Sequence, residues 1–189
     1  MNQKIAALPN ELTLVTQARV DPAAFAAIYD HYFGRVFNYV RYRLPDAASA
    51  DDVTAQIFER VLNNLDRYRS EKAPFSAWLF AIARNAVNDQ LRQQQRRRWV
   101  SLDILWNRSS QEPGPADIAL DNELHQELLG AVAGLNQRER DLIGLKFAAG
   151  LTNRRIAELT GLSENNVGII LFRTVRRLRA ELEARGVKR

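Results

Sequence analysis

Phe80, Arg84, Asn88, Arg92 and Arg96 recur at four-residue steps. On an α-helix this spacing lines up one aromatic ring, one amide and three guanidiniums along a single stripe. Rings stack on bases, amides hydrogen-bond to base edges and guanidiniums hold phosphates, so the stripe has the chemistry of a nucleic-acid reader. A merely solvated helix face would require only the charges. After Leu91 the chain continues Arg92-Gln-Gln-Gln-Arg96-Arg97-Arg98-Trp99, a basic rod with no apolar side of its own. A second set lies near the C-terminus: Asn165, Asn166, Gly168, Ile169, Phe172, Arg173, Arg176 and Arg177 fall on the outer face of one helix. In a major groove Asn reads adenine, Ile touches a thymine methyl, and Arg holds guanine or phosphate. Compensation of the helix dipole accounts for part of the arginine charge there, but not for Asn165-Asn166.

The elements that position these residues are helices. Pro74 suits a first helical turn, and Phe75, Trp78, Leu79, Ile82, Ala83, Ala86, Val87 and Leu91 give the helix that follows a buried stripe. Upstream, Asn10 is placed to cap a short helix ending near Val20. Asp21-Pro22 opens a long aromatic-rich helix through Phe25, Ile28, Tyr29, Tyr32, Phe33, Val36, Phe37 and Val40 that stops at Leu44-Pro45. Asp51-Asp52 opens a third helix, with Val53, Ile57, Phe58, Val61, Leu62 and Leu65 inward. Asn64 to Ala73 is a polar loop. Ser101 to Asn122, with Pro113-Gly114-Pro115 and several acids, reads as an extended linker, although Leu102, Ile104, Leu105 and Trp106 are apolar enough to dock. Beyond it, Asn136 and Glu139 form a capping box. Thr152, Gly161 and Ser163 supply cap, turn and cap for a helix-turn-helix, with Ala157 and Val167 inside. The fold class is therefore all-α: two small helical domains joined by an extended linker, divided as 1–20, 21–99, 100–122 and 123–189.

The totals agree with a nucleic-acid partner. The 189-residue chain carries net charge +5, and its isoelectric point near 9.9 favours acidic partners. It has no cysteine, which excludes disulfides and thiolate metal sites. No run reaches membrane-spanning length and no signal peptide is visible, so the expected compartment is the cytoplasm. The two histidines, His31 and His125, have no ligand spacing, and neither a phosphate loop nor a nucleophile elbow occurs. No cofactor, metal or enzymatic activity is expected.

Three segments taken together resemble a group-4 (extracytoplasmic function, ECF) sigma factor of bacterial RNA polymerase, a member of the sigma-70 family. They are Phe25-Ala-Ala-Ile-Tyr-Asp-His-Tyr, Asp51-Asp52-Val-Thr-Ala-Gln-Ile-Phe-Glu, and Phe75-Ser-Ala-Trp-Leu-Phe-Ala-Ile-Ala-Arg-Asn with Asp89 and Arg92, in the order of the region 2 helices. Leu135 to Arg179 resembles region 4. The resemblance implies that Asp51, Asp52, Gln56 and Glu59 bind the clamp of core RNA polymerase. It implies that Arg67, Tyr68, Arg69, Phe80, Arg84, Asn85, Asn88, Arg92 and Arg96 hold and read the non-template strand of the minus-10 element, taking a base into a pocket. The helix from Ser163 would enter the minus-35 major groove. Core polymerase and promoter DNA are the implied partners, with an anti-sigma factor a common further one. Where the family usually has Gly-Thr-Val-Lys/Arg-Ser-Arg, this chain has Asn165-Asn166-Val167-Gly168-Ile169-Ile170, which implies weaker phosphate anchoring and an altered minus-35 preference.

Two other readings compete. A LuxR-like helix-turn-helix regulator explains Gly150 to Leu178 but leaves the Phe80–Arg96 stripe without a purpose. An RNA-modifying enzyme would need a catalytic group that the sequence does not supply. A basic protein with two DNA-binding domains can also inhibit itself when free, its acidic linker shielding the basic helices.

Overall fold

The computed structural model describes residues 8–44, 46–100 and 119–186, and among them every regular element is helical. The linker from Ser101, including Leu102–Trp106, lies outside the described residues, as does the side chain of His125. In chain order the helices are α1 (Glu11–Gln17), α2 (Pro22–Arg43), α3 (Ala47–Asn63), α4 (Phe75–Val100), α5 (Ala119–Ala133), α6 (Gln137–Ile143), α7 (Asn153–Thr160) and α8 (Glu164–Ala184). A 3₁₀ turn, Leu65–Arg67, follows α3, and a π turn, Gly144–Ala148, extends α6.

Local chemistry sets most boundaries. Asp21 caps α2, its Oδ1 accepting from the Ala23 N–H at 2.9 Å, and Leu44 ends it in extended backbone ahead of Pro45. Asn136 and Glu139 cap α6 reciprocally, each at 3.0 Å. Thr152 accepts from the Arg155 N–H, Gly161 takes φ 73°, which only glycine adopts cheaply, and Ser163 accepts from the Asn166 N–H. Two expected starts differ. Asn10 sits in left-handed backbone and its side chain caps nothing. Helix α3 begins at Ala47 rather than Asp51, because Asp46 accepts from both the N–H and the hydroxyl of Ser49 and so starts the helix a turn early.

Ile28, Tyr32, Val36, Ile57, Val61, Phe75, Leu79 and Val87 form the centre of the first bundle, α1 to α4. Tyr29 and Phe33, expected inside, are more than one third exposed, because the adjacent stripe of α2, Ile28, Tyr32, Val36, Tyr39, Val40 and Arg43, is the one turned inward. That face carries Tyr39 and Arg43, both buried, and α5, α6 and the π turn pack over it. In the second unit Leu142, Leu145, Ile156, Val167, Leu171 and Leu178 hold the helix-turn-helix together. The two units meet directly, through side chains of α2 and α4 on one side and of α6 and the π turn on the other.

Candidate nucleic-acid interface

The first reading surface is built from α1, the loop after α3, and α4. In the loop Tyr68 packs edge-on against Phe75 (5.4 Å between centroids, 85°) and tilts against Trp78, while its hydroxyl donates to the Ala73 carbonyl at 3.1 Å. Its ring is largely buried and shapes the loop, and Tyr68 also lines the cavity that opens beside it. Arg67 and Arg69 are exposed. Arg19, in the turn that follows α1, donates to the Tyr68 carbonyl at 3.4 Å and lies 3.8 Å from Asp66. A largely polar cavity of about 320 Å³ opens here between α1 and the loop, its polar lining drawn from Thr16, Arg19, Asp66, Arg69, Ser70 and Glu71, with Leu12, Val15 and Tyr68 completing the wall. Thr16 and Arg19 were missed in the sequence because α1 carries no motif of its own.

On α4 the stripe divides. Phe80 is fully buried, edge-on to Tyr39 and beneath the Arg35 guanidinium, so no base can stack on it and it leaves the reader set. The reason is that α4 buries two adjacent stripes, not one. Asn85, Arg92 and Arg96 are exposed, and Arg92 is held only loosely, 3.8 Å from Asp89. Arg84 and Asn88 are half-buried and already engaged. Arg84 Nε donates to Asp141 Oδ2 at 2.8 Å and its Nη1 to the Leu159 carbonyl at 2.9 Å, while Asn88 Oδ1 accepts from Arg43 Nη2 at 2.8 Å.

Asp141 is the centre of this seam. Its Oδ1 accepts from Tyr39 Oη at 2.8 Å and from Arg43 Nη1, in a site where Arg43 is 4% and Asp141 6% exposed. Burial, and then the Asp141 charge, hold the Tyr39 hydroxyl well above the usual tyrosine range, so it stays a donor. Arg35 of α2 donates to the carbonyls of Ala148 and Ala149, capping the end of the π turn.

The second reading surface is the outer side of α8. Asn165, Asn166, Ile169, Phe172, Arg173, Arg176 and Arg177 are exposed, and Gly168 is partly so. Phe172 is 71% exposed and Ile169 41%, so neither is held by the core of the unit. Arg177 alone among them is tied down, at 2.7 Å from Glu139. Glu139 is partly desolvated, which by itself would raise its carboxyl, but the Arg177 hydrogen bond and the Asn136 cap hold it below the usual range.

Asp51, Asp52, Gln56 and Glu59 are all exposed along α3. Beside them Tyr29 and Phe33 pack on Phe58, with centroids 4.6 and 6.4 Å away, one helical turn before the exposed Leu62. This makes a mixed acidic and apolar surface. Among the described residues no three His, Asp or Glu side chains cluster as a metal site would require, and no helix is long and apolar enough to cross a membrane.

A helical bundle bearing a basic reading helix, followed by a helix-turn-helix with its outer face free, defines a two-module DNA-binding protein. Residues 28–97 match the Sigma-70 region 2 family and residues 125–178 the Sigma-70 region 4 family. The chain is 30% identical over 173 residues to the ECF RNA polymerase sigma factor SigL of Mycobacterium tuberculosis, covering 91% of this chain and 96% of that one. It is 32% identical over 168 residues to the ECF RNA polymerase sigma factor BldN of Streptomyces coelicolor, covering 88% of this chain and 64% of BldN's length. Of solved structures, the sigma factor RpoE, in a complex with the anti-sigma factor NepR from Bartonella quintana, aligns with TM-score 0.68 at 20% identity over 87% of this chain and 98% of that one. CnrH, in complex with the cytosolic domain of CnrY, aligns with TM-score 0.65 at 22% identity over 92% and 97%. Both share the fold. The chain belongs to the ECF sigma factors of the sigma-70 family.

Proposed function

We propose that this chain binds core RNA polymerase and directs initiation at a restricted set of promoters, with residues 21–99 reading the minus-10 element, 123–189 the minus-35 element and 100–122 linking them. The observation that carries this reading is the presence, in one chain and in family order, of two separate basic reading surfaces, on α4 and on α8. Arg67, Arg69, Asn85, Arg92 and Arg96, with Arg84 and Asn88 once released, hold the non-template strand. The cavity between Arg19 and Ser70 takes an unstacked base, its polar lining matching a base edge. Asn165, Asn166, Ile169 and Phe172 read the major groove while Arg173, Arg176 and Arg177 grip its backbone.

The exposed surface of Asp51, Asp52, Gln56 and Glu59, bordered by Tyr29 and Phe33, is assigned to the polymerase clamp. An anti-sigma factor is a fitting regulator, as for the RpoE described above. The role is that of a binding factor acting in the cytoplasm, with no chemistry of its own. A LuxR-like regulator would use α7 and α8 alone and leave α3 and α4 idle.

The test is to mix the purified chain with bacterial core RNA polymerase, look for co-elution, and then map transcripts from a pooled promoter library. Co-elution with new start sites supports the reading. A chain that ignores core polymerase yet binds duplex DNA as a dimer is a LuxR-like regulator instead.

A further inference from the structure

One cluster of positive charge belongs to neither reading surface. Where the end of α2 meets α5 and α6, a small cavity of about 60 Å³ lies between Arg41, Tyr42 and Arg140, with Leu44, Leu129, Val132 and Ala133 as its apolar wall. Both arginines are half-buried. Among the described residues neither guanidinium makes an ion pair or a hydrogen bond, and Arg140 Nε is cut off from solvent with no acceptor in reach. The acids on α5 and α6 whose side chains are described are all committed elsewhere. Asp141 accepts from Tyr39, Arg43 and Arg84, Glu139 accepts from the Asn136 N–H and Arg177, and Glu127 pairs with Arg185 at 3.2 Å. An arginine cannot shed its proton to escape burial, so a half-buried guanidinium without a partner is a standing cost until an anion joins it. We propose that Arg41 and Arg140 form a binding site for a phosphoryl dianion, either inorganic phosphate or the phosphate of a small phosphomonoester.

Size and chemistry agree on this class of ligand. The cavity has room for about two waters at roughly 30 Å³ each, which is the space of one tetrahedral oxyanion. It is far smaller than the roughly 300 Å³ at which sites for larger organic ligands begin. Guanidiniums hold phosphate through paired N–H donors, and the two positive charges match the nearly double negative charge of a phosphoryl group at neutral pH. Burial lowers the Arg140 pKa and the positive charge of Arg43 lowers it further, so the surroundings favour an incoming anion. Burial also raises the Tyr42 hydroxyl, which therefore stays protonated as a donor on the wall. The apolar side excludes competing water and strengthens each charge-assisted bond. Because the cavity joins α2 to α5 and α6, a bound ion stabilises the folded chain as its occupancy rises. The site stands apart from the sigma-factor reading, since neither arginine belongs to the α4 or α8 surface or to the acidic face of α3.

The test is a titration of the full-length protein with sodium phosphate and, at equal ionic strength, with sodium chloride, followed by calorimetry and by thermal melts. Wild type should give saturable heat and a rising melting temperature with phosphate, and no saturable heat with chloride. Arg41→Gln and Arg140→Gln should each weaken phosphate binding about tenfold or more, the loss expected for a hydrogen bond to a charged group. Arg140→Gln should also melt no lower than wild type in chloride, because it removes an unpaired, partly buried charge. Arg138→Gln, at an exposed position on the same helix, should bind phosphate as wild type does. Glycerol phosphate distinguishes the source: binding at least as tight as that of inorganic phosphate assigns the site to a phosphomonoester, and exclusion assigns it to the free ion. If one arginine variant does not fold, the other carries the test. A wild type that takes up no phosphate beyond chloride overturns the site, as does phosphate binding that survives both replacements unchanged. Arginine variants that lose affinity for duplex DNA and keep their phosphate affinity overturn it too, and place the two side chains on the DNA backbone. No readout involves polymerase, so failure to co-elute with core polymerase counts against the functional reading alone.

Discussion

Tyr39 and Phe80 meet edge to face, with ring centroids 5.8 Å apart and planes at 83°. One ring comes from α2 and the other from α4, and both are completely buried. Phe80→Ala should therefore lower stability by about 3–5 kcal/mol through lost burial and the cavity left behind. Denaturant unfolding checks this. A Phe80→Ala protein of native stability that had lost only DNA binding would return Phe80 to the reading surface.

Arg84→Ala with Asn88→Ala should abolish melting of the minus-10 region and leave association with core polymerase intact. Permanganate reactivity of minus-10 thymines, measured beside co-elution with polymerase, separates the two steps. Unchanged melting would remove both residues from strand capture.

On the outer face of α8, Ile169, Phe172 and Arg176 are exposed. Ile169→Ala and Phe172→Ala should change stability by no more than about 0.5 kcal/mol while costing about 1–3 kcal/mol of discrimination at the base each one touches. Arg176→Ala should instead weaken binding to all duplexes alike and reduce the salt slope by about one. Competition binding with scrambled minus-35 sequences distinguishes these outcomes.

His31 sets an acid limit. Burial, and then the neighbouring Arg35 charge, lower its pKa from 6.5, with Glu11 opposing them. The folded state thus resists a proton that the unfolded chain accepts, so the contribution of His31 to stability is full above pH 6.5 and is lost as pH falls below it. Unfolding free energy should fall between about pH 7 and 5, and His31→Gln should flatten that slope. An unchanged slope would assign the acid sensitivity to other groups.

Local signals in the sequence locate most of the helix ends that one side chain can satisfy, Asn10 at the start of α1 being the exception. The Asp21, Asn136, Thr152 and Ser163 caps and the Gly161 turn are all where their residue types place them. The start of α3 differs because Asp46, not the adjacent acids Asp51-Asp52, binds the free groups of the first turn. Phe80 was assigned outward because a period of four cannot tell which of two neighbouring stripes is buried, and α4 buries both. The Asp141 seam was illegible for a different reason. Its partners are about 57 to 102 residues away along the chain, and no local pattern links Tyr39, Arg43 and Arg84 to an aspartate in another module.

Gly168 sits at the start of the second turn of α8, where the family's usual run carries a larger residue. A Cβ there would meet only Asn153 Nδ2, at an ordinary 3.6 Å. Alanine at this position should stabilise the helix by about 0.5–1 kcal/mol. Serine, threonine or lysine could likewise arise there without any compensating change inside. Position 168 can thus change by single replacements that the scaffold tolerates before any binding partner has come to depend on them.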